Sequence, residues 1–454
     1  MDGMNSPVRV CLVFAFVFGF GPMDYGQGPG ASPSPSASPS PNPVVLANRR
    51  AAAADRRNML AQLHLADPLK LDPANPMQRP SGPANYDETK ANPYPLTNPL
   101  RMKNGKMVTD AATWWNERRP EILNDFATEI YGKIPADAPK VTWTVASVDT
   151  SGTEGATVKK VVGQIDNSAW PAASAHIDLT LYIPKGATGP VPVIVEDIPG
   201  GTAFPAREPA GLALILAKGW GCATASTYTV QADTGAGFTN GVIGIVNHGQ
   251  PRQPDQWGAL AAWSWGLSRV IDYLETDKDV DAKRLGIEGH SRWGKAALLA
   301  AALEPRWSIV YASCSGEGGA KPSVRYWGET LDDLCGNAEY HWMAGNYLKY
   351  AKHWDKLPVD SPDLISLVAP RPVFIGCGSK DQWADPHGQF LAVVAAGPVW
   401  TLLGRKDVGT AVQPGPDMAL TSGDIAYRMH NGGHTDALDF PAFLEFAARE
   451  WGKL

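Results

Sequence analysis

A chain of 454 residues, 44% of them hydrophobic, is long enough to bury a large core in one or two domains. The formal net charge of -6 and the lack of an extended Lys/Arg cluster exclude a nucleic-acid surface, and a neutral or carbohydrate partner suits the balance better. Sixteen tryptophans is a high count; most serve as core or interface fillers, but flat indole faces also serve sugar-binding clefts.

Arg9 and the apolar stretch 10–20 have the form of an export signal and are too short for a membrane span. This gives a signal peptide over 1–27. The Ser/Pro tract at 31–43 cannot pack a core, so 28–46 reads as an extended linker. No linker-like break follows residue 100, and 47–454 is read as one catalytic domain. The expected location is secreted or periplasmic, and no further segment looks transmembrane.

The Ala- and Leu-rich stretch 47–66 predicts a helix, followed by a Pro/Asn-rich coil over 67–100. Trp114, Trp115, Ile122, Leu123, Phe126 and Ile130 recur at three- and four-residue spacing and predict a helix over 111–130. Val141, Trp143 and Val145 alternate, as do Ile177, Leu179, Leu181 and Ile183, which predicts antiparallel strands. The continuous apolar run 191–195 predicts a buried central strand. A helix at 208–218 and a strand at 221–227 come next. Residues 231–257, rich in Gly, Asn and Gln, read as a long surface loop over a site.

Leu260, Trp263, Leu267, Val270, Ile271 and Leu274 mark the next helix. Residues 308–313 and 372–377 are later buried strands, and 440–451 is a closing helix. Alternating strands and helices from about 190 onward predict a parallel sheet covered on both faces, with the antiparallel strands at one edge.

The heptad Gly289-His290-Ser291-Arg292-Trp293-Gly294-Lys295 lies between a strand-like run, 284–288, and an Ala-rich helix, 295–303. A Ser between small residues at such a turn exposes a nucleophilic hydroxyl. The second glycine comes one residue late, giving G-x-S-x-x-G instead of G-x-S-x-G. Alone, this also fits an ordinary strand-helix turn with a capping Ser.

A Ser nucleophile needs a base, and the base needs an orienting carboxylate. In the order Ser, acid, His, the acid follows a late strand and the His lies near the C-terminus. His434, after Gly432-Gly433, is the chosen base, with His430 as competitor. Asp381, three residues past Gly378, is the chosen acid. Asp385 reads as the cap of a helix starting near Pro386, and Glu317 as a glycine-flanked loop carboxylate. Cys11 lies in the signal. Cys222, Cys314, Cys335 and Cys377 lack metal-site spacing, and they are either buried free thiols or one of three possible disulfide pairings.

These residues resemble the glucuronoyl esterases, carbohydrate esterase family fifteen, and their bacterial members most. Ser291-Arg292-x-Gly294-Lys295 carries the resemblance. Support comes from Arg118-Arg119-Pro120-Glu121-Ile122-Leu123 with Tyr131-Gly132, from Ser315-Gly316-Glu317-Gly318-Gly319, from Asp381-x-Trp383-Ala384-Asp385-Pro386, and from the loop ending at His434. The resemblance covers about 100–454. It implies an α/β-hydrolase fold, a three-layer αβα sandwich with a mostly parallel central sheet.

It also implies hydrolysis of the ester between 4-O-methyl-glucuronic acid of glucuronoxylan and lignin alcohols. Ser291 would attack, His434 would shuttle the proton and Asp381 would hold the histidine. Arg292 would stabilise the oxyanion. Lys295, Glu329 and Trp383 would contact the sugar. Fungal members carry their acid where Cys314 stands and a Cys where His290 stands. A thiol is mostly neutral at pH 7, which again points to Asp381.

No metal or cofactor is expected, because such a triad needs none, and a monomer is expected. The other readings are an acetyl xylan or feruloyl esterase of the same fold and an inactive polysaccharide-binding homologue.

Overall fold

The computed structural model describes residues 43–453 except 81, 92–94, 152–154 and 200–208. The signal peptide, Cys11 and all of the linker before residue 43 lie outside the described residues. Ten strands form one sheet: β1 (Val141–Asp149), β2 (Ala156–Ile165), β3 (His176–Pro184), β4 (Val191–Asp197), β5 (Gly221–Ser226), β6 (Val280–His290), β7 (Ile309–Ser313), β8 (Val373–Gly378), β9 (Ala419–Leu420) and β10 (Ile425–His430). Their order is β1-β2-β3-β5-β4-β6-β7-β8-β10-β9. The run from β5 to β10 is parallel. β1, β2 and β3 pair antiparallel and join β5.

Side chains alternate between the two faces of a strand, and the core divides accordingly. Val193, Val195, Val310, Ala312, Val373 and Ile375 pack in one cluster with helices Ala259–Leu274, Arg292–Leu303 and Pro386–Leu402. Ile194, Ile309, Tyr311 and Phe374 pack in another with helices Leu212–Ala217 and Phe440–Trp451. β4 and β8 are buried throughout because helices cover both faces. This is the three-layer αβα arrangement of the α/β-hydrolase fold. At the edge, β1 has only half its pattern: Trp143 is partly buried, while Val145 is exposed.

Three expectations need correction. The first helix runs over Pro43–Gln62, so it starts inside the stretch read as linker; proline fits a helix start, where its missing N–H is unpaired anyway. The 111–130 helix is real but contains two π-helical turns, Trp114–Arg118 and Phe126–Ile130. Residues 231–257 are not all surface loop: Val242, Ile243 and Ile245 of helix Gly241–Val246 are buried. Its glycines permit that packing, since a Cβ on Gly244 would lie 2.4 Å from the Thr239 carbonyl. No helix of the described residues is long and apolar enough to cross a membrane.

Candidate active site

Open parallel sheets gather side chains beyond the carboxyl ends of their strands, and the chemistry-bearing residues collect there. β6 ends at His290, and Ser291 follows with φ 60°, a backbone region that non-glycine residues rarely occupy. The Ser291 N–H donates to the Ser313 carbonyl at 2.8 Å, which ties the turn to β7. Helix Arg292–Leu303 starts at the next residue, so the Arg292 N–H is among the first-turn donors without an intrahelical partner.

The displaced glycine has a steric cause. A Cβ on Gly289 would sit 2.2 Å from the Trp293 carbonyl oxygen, and one on Gly294 would sit 2.8 Å from the Gly289 oxygen and 2.9 Å from the Ser313 oxygen. Close helix-strand contact therefore falls on Gly294, and Trp293 occupies the usual glycine position without strain.

The segments after β8 and β10 are laced together. Ser379 N–H donates to the His430 carbonyl at 2.8 Å and Lys380 N–H to the Gly432 carbonyl at 2.9 Å. A Cβ on Gly378 would lie 2.1 Å from the Gly433 oxygen, so only glycine allows this approach. The lacing brings His434 Nδ1 to 2.6 Å from Asp381 Oδ2. The His434 ring lies 4.3 Å from the ring of His290, the neighbour of Ser291. Asp381 is 5% exposed and His434 43%, so the pair has a buried acid and an open imidazole.

Burial would hold His434 neutral, but the hydrogen bond to Asp381 and the nearby Cys314 push its pKa up to about 10. Burial lifts the Asp381 carboxyl, and the bond from His434 opposes that lift. Burial would also raise the Cys314 thiol, yet Cys377, His290 and His434 bring it well below its ordinary value. The surroundings of this thiol differ from those of a free cysteine, so ordinary cysteine ionisation does not select the acid. The preference for Asp381 rests instead on its 2.6 Å bond.

The rival residues are engaged elsewhere. His430 is fully buried, with Nδ1 2.9 Å from Asp439 Oδ2 and Nε2 3.1 Å from the Gly433 carbonyl. Asp385 caps helix Pro386–Leu402 by accepting from Gly388 N–H at 2.9 Å, and it pairs with Arg325 at 2.7 Å. Glu317 is fully buried against Lys321, Ser323 and Tyr347.

On the other side of Ser291, the Arg292 guanidinium pairs with Asp233 at 2.6 Å. Asp233 also accepts from Trp342 Nε1 at 2.6 Å and lies 2.8 Å from His341 Nε2. Burial would raise this carboxyl; Arg292, His341 and Trp342 overcome that and hold it far below the usual range. The guanidinium lies 4.8 Å from the centre of the Trp342 ring.

Lys295 is buried and donates to Glu329 Oε2 at 2.8 Å and to the Ser315 carbonyl at 2.7 Å. Gly316, at φ 55°, leaves room for that carboxylate. Trp383 is half-buried under the Arg79 guanidinium, and its carbonyl accepts from Glu329 N–H at 2.8 Å. Burial and the neighbouring Glu329 push the Glu339 carboxyl up to about 8.

The sequence reading passed over Asp233, His341, Trp342 and Glu339. Asp233 lies in the Gly-rich stretch without any motif, and residues 339–342 sit among short 3₁₀ turns with no periodic pattern. Only the need of a buried-side Arg292 for a counter-charge could have prompted a search. The four cysteines described are free and buried, which decides between the two readings of them.

Comparison with known proteins adds an independent finding. The family described as glucuronyl esterase, fungi, matches residues 169–404. Carbohydrate esterase MZ0003, from an unknown prokaryotic organism, is 35% identical over 401 residues, covering 80% of this chain and 91% of that protein. The 4-O-methyl-glucuronoyl methylesterase of Podospora anserina is 28% identical over 356 residues, 74% of this chain and 65% of the relative. Among solved structures, a CE15 glucuronoyl esterase from Teredinibacter turnerae superposes with a TM-score of 0.79 at 37% identity, over 88% of this chain and 100% of the other.

Proposed function

The chain belongs to the glucuronoyl esterase family, carbohydrate esterase family fifteen, and is a carboxylic ester hydrolase; from this we propose that it cleaves the ester joining 4-O-methyl-glucuronic acid of glucuronoxylan to lignin alcohols, using Ser291, His434 and Asp381. The observation that carries the triad is the 2.6 Å contact between His434 Nδ1 and Asp381 Oδ2 beside the strained Ser291 turn. A donating Nδ1–H leaves Nε2 to accept a proton. The Ser291 oxygen attacks the uronoyl carbonyl while its proton passes to His434. The tetrahedral intermediate collapses, and the alcohol leaves with that proton. Water then repeats the sequence on the acyl-enzyme, releasing the uronic acid and restoring Ser291.

The developing oxyanion is met by the Arg292 N–H and guanidinium. A preoriented donor of this kind contributes on the order of 3 kcal/mol. Asp233 and Trp342 hold the guanidinium in place, which spares reorganisation during the reaction. Lys295, Glu329 and Trp383 form the adjoining wall and bind sugar hydroxyls. The apolar stretch at 10–20 and the Ser/Pro tract support export, to the periplasm or beyond, and a monomer suffices because one chain supplies every group named.

Comparing benzyl glucuronate with p-nitrophenyl acetate tests the substrate class. A higher kcat/KM on the uronate ester is expected, and a wide preference for acetate overturns the reading. Ser291→Ala should abolish turnover with the fold unchanged by circular dichroism.

A further inference from the structure

Cys314 lies at the catalytic end and has no part in the esterase chemistry described above. It follows β7, is buried, and holds φ 46° although it is not glycine. Its N–H donates to the Gly376 carbonyl at 2.7 Å, which fixes it against the end of β8. The ends of three adjacent strands thus bring a thiol, a carboxylate and an imidazole together. The ligating atoms of Cys314, Asp381 and His434 all lie within 4.8 Å of one another.

We propose that Cys314, Asp381 and His434 form a binding site for a thiolate-preferring divalent cation, with Zn²⁺ as the type, and that an occupied site is catalytically silent. Thiolate, imidazole and carboxylate are the donors zinc takes, at about 2.3, 2.0 and 2.1 Å respectively. The thiolate disfavours Mg²⁺ and Ca²⁺, which prefer oxygen. Three protein donors leave a fourth position open to water.

Metal–ligand lengths of that size separate tetrahedral donors by roughly 3.3–3.6 Å. The His434–Asp381 contact must then open by about 0.7 Å, and the widest pair must close by at most about 1.3 Å. His434 can make that adjustment: its ring is exposed and follows the two glycines Gly432 and Gly433. The exposed ring also gives the ion an entry path.

Binding balances simply. The cation takes the thiolate, releasing the thiol proton to solvent where Cys314 is protonated. It takes the carboxylate and the Nδ1 lone pair, releasing one ring proton to solvent where His434 is protonated. The one proton of the neutral ring is then on Nε2, which can no longer accept the Ser291 proton. This silencing rests on the role proposed for His434, whereas the binding does not.

The test uses the whole chain and two readouts. Titration with Co²⁺ should produce a thiolate-to-cobalt charge-transfer band that Zn²⁺ abolishes. The band should persist in Ser291→Ala and Cys377→Ser and vanish in Cys314→Ser. Separately, ZnCl₂ should inhibit hydrolysis of benzyl glucuronate, a chelator should restore it, and equal MgCl₂ or CaCl₂ should leave it unchanged. Each variant is referred to its own metal-free rate, and Cys314→Ser should need at least about tenfold more Zn²⁺ for half-inhibition.

Absence of the band in the unaltered protein overturns the site, whatever the folding of the variants. So does equal zinc sensitivity with and without Cys314. A cobalt band with a zinc-insensitive rate leaves the site standing and overturns the role given to His434, so the two readings fail separately.

Discussion

Two histidine–aspartate pairs lie at the end of β10, and they differ in what their surroundings leave available. His430 and Asp439 meet at 2.9 Å, and His434 and Asp381 at 2.6 Å. Nearly the same contact is made in both. His430, however, has both ring nitrogens against acceptors, Asp439 and the Gly433 carbonyl, a clamp that favours the charged ring. Burial opposes that charge, and the two acceptors outweigh it and raise its pKa. His434 gives Nδ1 to Asp381 and turns a largely open ring to the cleft. The hydrogen bond is common to both pairs; access separates the proposed base from a buried fastener.

The largest expected effect tests that separation directly. His434→Ala should lower kcat by about 10⁴- to 10⁶-fold with little change in melting temperature. His430→Ala should do the reverse. Removing one member of a buried pair costs about 3 kcal/mol, at the low end because Arg428 still faces Asp439. Its folded fraction should keep turnover within about tenfold. Equal kinetic losses from the two variants would erase the distinction.

The same contrast extends to the carboxylates. Asp381→Ala should cost about 10³- to 10⁴-fold in kcat, because the histidine loses its tautomer and orientation. Asp385→Ala should instead cost about 3 kcal/mol of stability through the lost helix cap and the broken buried pair with Arg325, which Glu88 still faces, with kcat nearly unchanged. A smaller effect is expected across the cleft. Arg292→Ala should reduce kcat about 10²- to 10³-fold, and Asp233→Asn only about tenfold, since the Arg292 N–H still faces the oxyanion. An Asp233→Asn loss as large as that of Arg292→Ala would show that the guanidinium is useless without its anchor.

What the sequence made legible follows from how locally each feature is encoded. The buried strands at 191–195 and 372–377, the helix Phe440–Trp451 and the Ser291 turn carry their signals within a few residues, and all appear as elements of the structure. The cap role of Asp385 was equally local, because Asp-Pro at a helix start is a short-range pattern. By contrast, Asp233 and Trp342 meet Arg292, and His341 backs Asp233, from two stretches far apart in the chain that lack a pattern of their own. The buried helix Gly241–Val246 was misread because its glycines serve close packing, while composition alone suggests a loop. The thiol of Cys314 is lowered by Cys377, His290 and His434, which only the fold brings near, so no local pattern carries that signal.

That last residue gives the smallest predicted effect and the finest test of the two-histidine comparison. In the proposed reaction, His434 accepts the Ser291 proton only when its ring is neutral. A pKa raised to about 10 therefore delays full activity to high pH, and kcat/KM should climb roughly tenfold per pH unit below that limb. Cys314 raises His434 in the same sense as Asp381 does, so Cys314→Ser should move the limb to lower pH, by about one unit for an adjacent opposite charge. His430 lies outside the reaction, and Arg428 neutralises its acid, so Arg428→Gln should alter stability without moving the limb. Measured in chelator-treated buffer, a limb unmoved by Cys314→Ser would mean that the thiol does not share the proton of His434. A limb moved by Arg428→Gln would mean that the buried clamp and the open base titrate together.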